Sequence, residues 1–277
     1  MTTTSRVTPL RIVGRIALGL AAIAGLGWAG LAIRPAPFPP YGRHGAVETT
    51  PLPGGLPAPV ERFYRQIYGD RIPVLRSAVI TGRATMRIGG VTMPARLRFT
   101  HEAGRGYRHY IEATVFGLPL MKVNESYLDG HELMELPFGS FEGPTYDQAG
   151  NLGMWAEMLA WLPASLLTDQ RVRWEAVDDT TAWLIVPFGA AEERFLLRFD
   201  PETGMLRLAE SMRHKAEGPV KTLWVNEARA YGEVGGYTVM TESALTWQDD
   251  GVPWAVFAVE EVVYNADVTA YVRAKGL

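Results

Sequence analysis

The chain has 277 residues, 47% hydrophobic and 21% charged, with no cysteine and a net charge of −3. That composition suits one large globular domain or two small ones, and it excludes a disulfide framework, a thiolate metal site and a cysteine nucleophile. Five of the 27 basic residues (Arg6, Arg11, Arg15, Arg34 and Arg43) precede the first acid, Glu48, leaving 22 basic against 30 acidic residues. A domain that acidic, with no basic cluster, is a poor nucleic-acid binder.

Residues 16–33 form an 18-residue run without a charge, just long enough to cross a bilayer as a helix. Arginines and no acids precede it. The positive-inside rule then places residues 1–15 in the cytoplasm and the remainder outside, as in a single-pass protein of the cytoplasmic (inner) membrane. The run exceeds the usual h-region of a signal peptide, so an uncleaved anchor is favoured over a cleaved leader. Ala21, Gly25 and Gly30 are small enough to allow helix pairing. Residues 34–56 are rich in proline and predict a stiff linker that lifts the domain off the membrane. The rest, 57–277, reads as one extracytoplasmic domain.

A short amphipathic helix is predicted over 60–68. Strands begin near Val74. In the hairpin of 83–100, Gly89-Gly90 forms a two-residue turn, and pairing outward puts Ile88 opposite Val91, Met86 opposite Met93 and Ala84 opposite Ala95. Pro94 implies that one edge of this hairpin is unpaired or bulged. Strands follow over 107–127, broken near Gly117-Leu118-Pro119, and over 131–136; 138–150 reads as a loop. Residues 151–167 are the one strongly helical, strongly apolar block. Met154, Trp155, Met158, Leu159, Trp161 and Leu162 make a broad stripe that leaves only Ala156, Ala160 and Glu157 on the other face. Pro163 ends or kinks it. Strands return over 172–176, 182–187, 194–199, 205–215, 221–231, 237–247 and 254–264, with a tight turn at Asp200–Gly204 and a short helix over 268–275. Roughly ten antiparallel strands around one helical insertion define an α+β domain: a large curved sheet, a half-barrel wrapped on the helix, preceded by a transmembrane helix.

That element order resembles, over about 57–277, the LolA-like and LppX-like lipoprotein carriers, which implies an apolar cavity between sheet and helices. MWAEMLAWLPASLL (154–167), VRWEAVDD (172–179), FDPETGML (199–206) and GVPWAVFAVEEVVYN (251–265) resemble an uncharacterised bacterial family of membrane-anchored proteins. In that family a Leu-Ala-Glu-like helix leads to a Pro-x-x-Leu-Leu turn and a Trp-containing strand, here Met154 to Glu157, Pro163 to Leu167 and Trp174. The resemblance implies location and fold and brings no activity.

Catalytic signatures are missing. His131-Glu132 starts like a zinc-protease motif, but position 135 is Glu and the stretch reads as a strand. Gly139-Ser-Phe-Glu-Gly143 has its serine one place early for a nucleophile elbow. His44, His101, His109, His131 and His214 are scattered and read as surface residues, although His101 and His109 flank a turn and could meet across strands. Neither metal nor cofactor is expected. Phe116, Met121, Trp155, Glu157, Met158, Leu159, Leu162 and Trp183 are the expected lining of an apolar cavity, with Glu157 as its polar anchor or, the favoured reading for a residue at the stripe's edge, half of a structural ion pair or a solvated group. The expected function is non-enzymatic binding of a lipid or acyl chain. The alternative is a filled module that docks onto an envelope protein. A hydrolase is the least supported reading, to be revived by a cleft holding a histidine and a carboxylate within hydrogen-bond reach.

Overall fold

Alternating apolar and polar residues give each strand one face to bury and one to expose. The computed structural model describes residues 9–42, 47–215 and 217–276; Arg6, Arg43 and His44 lie outside them. Helix α1 (Pro9–Ala32), strand β1 (Thr49–Pro51), helix α2 (Ala58–Tyr68) and strand β2 (Arg71–Pro73) come first. A first meander follows: β3 (Ser77–Ile88), β4 (Val91–Glu102), β5 (Gly106–Val115), β6 (Leu118–Leu128), β7 (His131–Leu136) and β8 (Gly139–Glu142). Helices α3 (Pro144–Trp161) and α4 (Pro163–Thr168) lead to a second: β9 (Arg173–Ala176), β10 (Thr181–Phe188), β11 (Ala191–Phe199), β12 (Leu206–His214), β13 (Lys221–Val234), β14 (Tyr237–Trp247) and β15 (Pro253–Tyr264). One helical turn, α5 (Thr269–Val272), follows.

The meanders join edge to edge through β3 and β15, giving one 13-stranded antiparallel sheet that runs from β8 to β9. Strands of both meanders touch α3, so the sheet curls around it. The α+β class and the central helical insertion stand as the pattern implied. At the seam, Gly82 lies against the Ala258 carbonyl beside a bulge in β15, where no side chain fits. The register read from Gly89-Gly90 holds: Ile88 faces Val91, Met86 faces Met93 and Ala84 faces Ala95. Pairing of β4 with β5 starts at Ala95, one residue past Pro94.

The loop expected over 138–150 is wrong. It holds β8 and the first turns of α3, because Pro144 sits at the start of the helix, where a missing N–H costs nothing. From Gln148 to Trp161 every residue of α3 but Glu157 is buried. The helix breaks at Leu162 and Pro163 opens α4. Trp161 O, freed by that break, accepts from the Tyr264 hydroxyl at 2.8 Å, and Pro163 O accepts from the Tyr64 hydroxyl at 2.9 Å. Gly150 lets the helix touch the sheet, since a methyl there would run into the Glu132 carboxylate and the Tyr127 ring.

Helix α1, within which Val13–Ala32 is long and apolar enough to cross a membrane, ends against the β5–β6 hairpin. Phe116 N donates to Gly30 O at 2.8 Å, and a methyl on Gly30 would meet Val115 and Phe116 at 2.7–2.9 Å. Gly30 therefore packs on its own domain. The proline-rich segment does not stand clear of the domain as expected. Phe38 lies under the guanidiniums of Arg96 and Arg98, at 4.4 and 5.1 Å, and Arg98 donates to Pro39 O at 3.0 Å. The outward basic face of β4 holds it down.

Candidate functional site

Strand alternation places the site. Met93, Ala95, Leu97 and Phe99 of β4 point into the concave face, and continuing two residues brings His101 there too. On β5, Tyr107, His109 and Ile111 share that face, with Phe99 opposite His109 and His101 opposite Tyr107. Both histidines are thus buried rather than at the surface, and each meets Glu157 of α3. His101 Nε2 lies 2.9 Å and His109 Nε2 2.7 Å from the same oxygen, Glu157 Oε2. Neither contact is a directed hydrogen bond. All three atoms are buried with no hydrogen-bond partner among the described residues.

The ring of His109 is clamped. Tyr107 stacks on one face at 3.9 Å between centroids, and Phe99 covers it at 4.0 Å. Glu125 Oε1 stands 3.8 Å from His109 Nδ1 and accepts from the Tyr107 hydroxyl at 2.6 Å. Burial pushes the Glu157 carboxyl up, but His109 and His101 outweigh it and hold it at about 2. Burial holds His101 below the ordinary imidazole value, against the pull of Glu157. At neutral pH the cluster is a carboxylate with His101 uncharged. Nearby, Glu132 is pushed up to about 9 by burial and then by Glu125, Asp147 and Glu157, with Arg213 opposing.

A cavity of about 230 Å³ opens beside this cluster. Its apolar wall is built from Phe99, Trp161, Trp224, Trp247, Trp254 and Phe257; His109, Glu125, Glu132, Glu157 and Arg213 form a polar end. Among the lining residues Lys215 is exposed and His214 and Trp254 are part-exposed where the β12–β13 and β14–β15 hairpins turn; Thr145 and Tyr146 are part-exposed in the first turn of α3, and Glu125, Met134, Glu157 and Arg213 further in. The mouth is therefore at the end of the sheet where those hairpins turn.

Of the eight residues expected to line a cavity, only Glu157 borders this one. Trp155, Leu159 and Leu162 are core, and Met158 is buried with its sulfur accepting from Gly104 N at 3.2 Å. Met121 packs half-buried at the core's edge. Trp183 points away from Ala182 and Leu184, with Arg194 across its ring at 5.7 Å. Phe116 is exposed on the hairpin beside α1. The two histidines, Glu132 and Arg213 were missed; the signal for the histidines was the β4–β5 alternation carried through the turn at 103–105. His131 is exposed, 3.4 Å from Asp147.

These features define a class: an α+β domain whose curved antiparallel sheet holds a buried helix and, between them, a tryptophan-walled chamber with a charged end. The chain belongs to the family of unknown function DUF6544, which it matches over residues 46–259, in line with the resemblance of its helix–turn–strand stretches to an uncharacterised family. No curated protein matches it. Among solved structures, a LolA superfamily protein from Nitrosomonas europaea is 10% identical, covering 80% of this chain and 99% of that one, at a TM-score of 0.44. A domain assigned as an outer membrane lipoprotein-sorting protein from Vibrio parahaemolyticus is 10% identical over 78% and 93%, at 0.44. A DUF1329 family protein from Desulfovibrio piger is 12% identical over 72% and 90%, at 0.43.

Proposed function

We propose that this is a membrane-anchored, extracytoplasmic binding domain that takes an acyl chain or similar apolar group of a lipid between its sheet and α3. The observation that carries this reading is the aromatic-walled cavity. At about 230 Å³ it falls below the 300–1,000 Å³ of pockets for whole drug-sized ligands, so it suits part of one chain. Its mouth supports the same reading. Beyond residue 33, ten large hydrophobic side chains are exposed among the described residues, and seven of them (Val91, Phe116, Leu118, Leu120, Phe138, Val220 and Val252) lie at the hairpin end where α1 joins. An anchor emerging there holds the mouth at the bilayer, with Arg11 and Arg15 on the cytoplasmic side.

The test uses tryptophan quenching in the full chain, in a Trp28→Phe background because Trp28 lies in α1. Fatty acids brominated on the chain are expected to quench emission, less so after Trp161→Phe or Trp254→Phe. Each added methylene is worth about 0.8 kcal/mol, so affinity should rise about fourfold per carbon and level off once the chamber is full. Affinity independent of chain length would sink the proposal and favour a docking module with a filled core. His109 and Glu157 also meet the geometric condition set for acid–base chemistry. Hydrolysis of acyl esters of the same chain lengths, abolished by Glu157→Gln, would support that second reading.

A further inference from the structure

We propose that His101, His109 and Glu157 hold one divalent transition-metal ion of the zinc type. The proposal stands on geometry and goes beyond ligand binding, which it does not require. Two imidazole nitrogens and one carboxylate oxygen, drawn from β4, β5 and α3, all lie within 4.8 Å of one another. They converge in the interior, where both imidazole nitrogens crowd the one Glu157 oxygen and neither contact has hydrogen-bond geometry, which leaves the three atoms suited to share a bound ion. Two histidines and a glutamate are a ligand set that zinc uses when one position stays open. With no cysteine in the chain, softer thiolate-seeking ions are disfavoured.

The distances support the fit. Ligand atoms on a tetrahedral zinc stand about 3.3 Å apart; here they are 2.7 and 2.9 Å, so small side-chain rotations make the room. The clamp of Tyr107 and Phe99 on His109 orients one ligand in advance. Glu125 stands 3.8 Å from His109 Nδ1, beyond hydrogen-bond distance, on the side from which a carboxylate commonly backs a metal-bound histidine. His109 and Glu157 border the cavity, so the remaining coordination position is open to whatever the chamber holds.

The test uses the untagged full chain in detergent micelles, stripped with a chelator and dialysed against zinc. Mass spectrometry of elements is expected to find one zinc per chain, and cobalt(II) in its place is expected to show the strong visible absorption of a four-coordinate site. Glu157→Gln is expected to weaken zinc binding by more than about 100-fold, because losses outside the ligand shell already cost 10–100-fold. His101→Gln gives the same result from a different strand, in case one variant misfolds by near-UV circular dichroism. His131→Ala, at an exposed histidine paired with Asp147, is expected to change nothing. Wild-type protein with less than stoichiometric zinc overturns the proposal, as does equal binding by wild type and a folded Glu157→Gln.

Discussion

Replacing Glu132 with glutamine is expected to stabilise the protein, and by an amount that depends on pH. Glu132 is 3% exposed, on β7, with its carboxyl against Gly150 of α3. Glu125 on β6, Asp147 and Glu157 on α3 and Arg213 on β12 face it. Burial first and the three carboxylates next lift it to about 9 from an ordinary 4.5. The folded protein thus keeps the proton over a range where the unfolded chain releases it. Its contribution is fully present below pH 4.5 and is lost as pH rises toward 9. Neutral pH lies about 2.5 pH units above the ordinary value, at about 1.4 kcal/mol each, so the cost at pH 7 is about 3 kcal/mol. Glutamine keeps the shape of the protonated acid and never ionises. For a domain of this size that gain raises Tm by roughly 6–12 °C. Thermal unfolding of both proteins by near-UV circular dichroism, from pH 5 to 8, is the assay. The gap should be small at pH 5 and widen with each unit. A gap that stays constant with pH, or a less stable variant at pH 7, would refute the assignment of Glu132 as a buried neutral acid.

Glu157 behaves in the opposite sense. Its carboxyl is held at about 2 despite burial, so its contribution is present above pH 4.5 and disappears as pH falls toward 2. Acid unfolding of Glu157→Gln is expected to be shallower over that window, by up to about 3 kcal/mol, and parallel curves would contradict the pairing. Gly150→Ala is expected to destabilise by about 1–3 kcal/mol, although alanine is the better helix former, and to recover in part in a Glu132→Ala background, where the Tyr127 ring still crowds the methyl. A stabilised single variant in urea titrations would show that helix and sheet do not approach as closely as described. Trp161, 2% exposed, donates to Met240 O at 3.0 Å. Trp161→Ala should cost about 3–5 kcal/mol and Trp161→Phe about 1–2, and equal losses would mean that the indole N–H rather than its volume matters.

Local periodicity made most of the fold legible. Gly89-Gly90 and the flanking alternation specify a register because a one-residue slip would turn Met86 and Met93 outward. The 151–167 block announced a covered helix because its apolar stripe left almost no polar face. What stayed hidden depends on distant packing. Pro144 reads as a loop residue unless the helix behind it is known. Trp224, Trp247 and Trp254 stand on β13, β14 and β15, and only the curl of the sheet around α3 leaves a space beside them. The histidines look isolated because their common partner, Glu157, is 48 residues past His109 in the chain. A cluster assembled from two strands and a helix has no spacing to recognise.

The seam between β3 and β15 carries a consequence for biosynthesis. Strand β3 pairs on one side with β4, its immediate successor, but on the other with β15, made much later. About 165 residues separate the end of β3 from the start of β15, so at 5–20 residues per second the inner edge of β3 waits roughly ten to thirty seconds for its neighbour. Throughout that interval the first meander offers an open hydrogen-bonding edge rich in β-branched residues to any passing strand. Nascent chains released before β15 are therefore expected to aggregate through β3, and the vulnerable moment in the life of this protein falls before it has ever been complete.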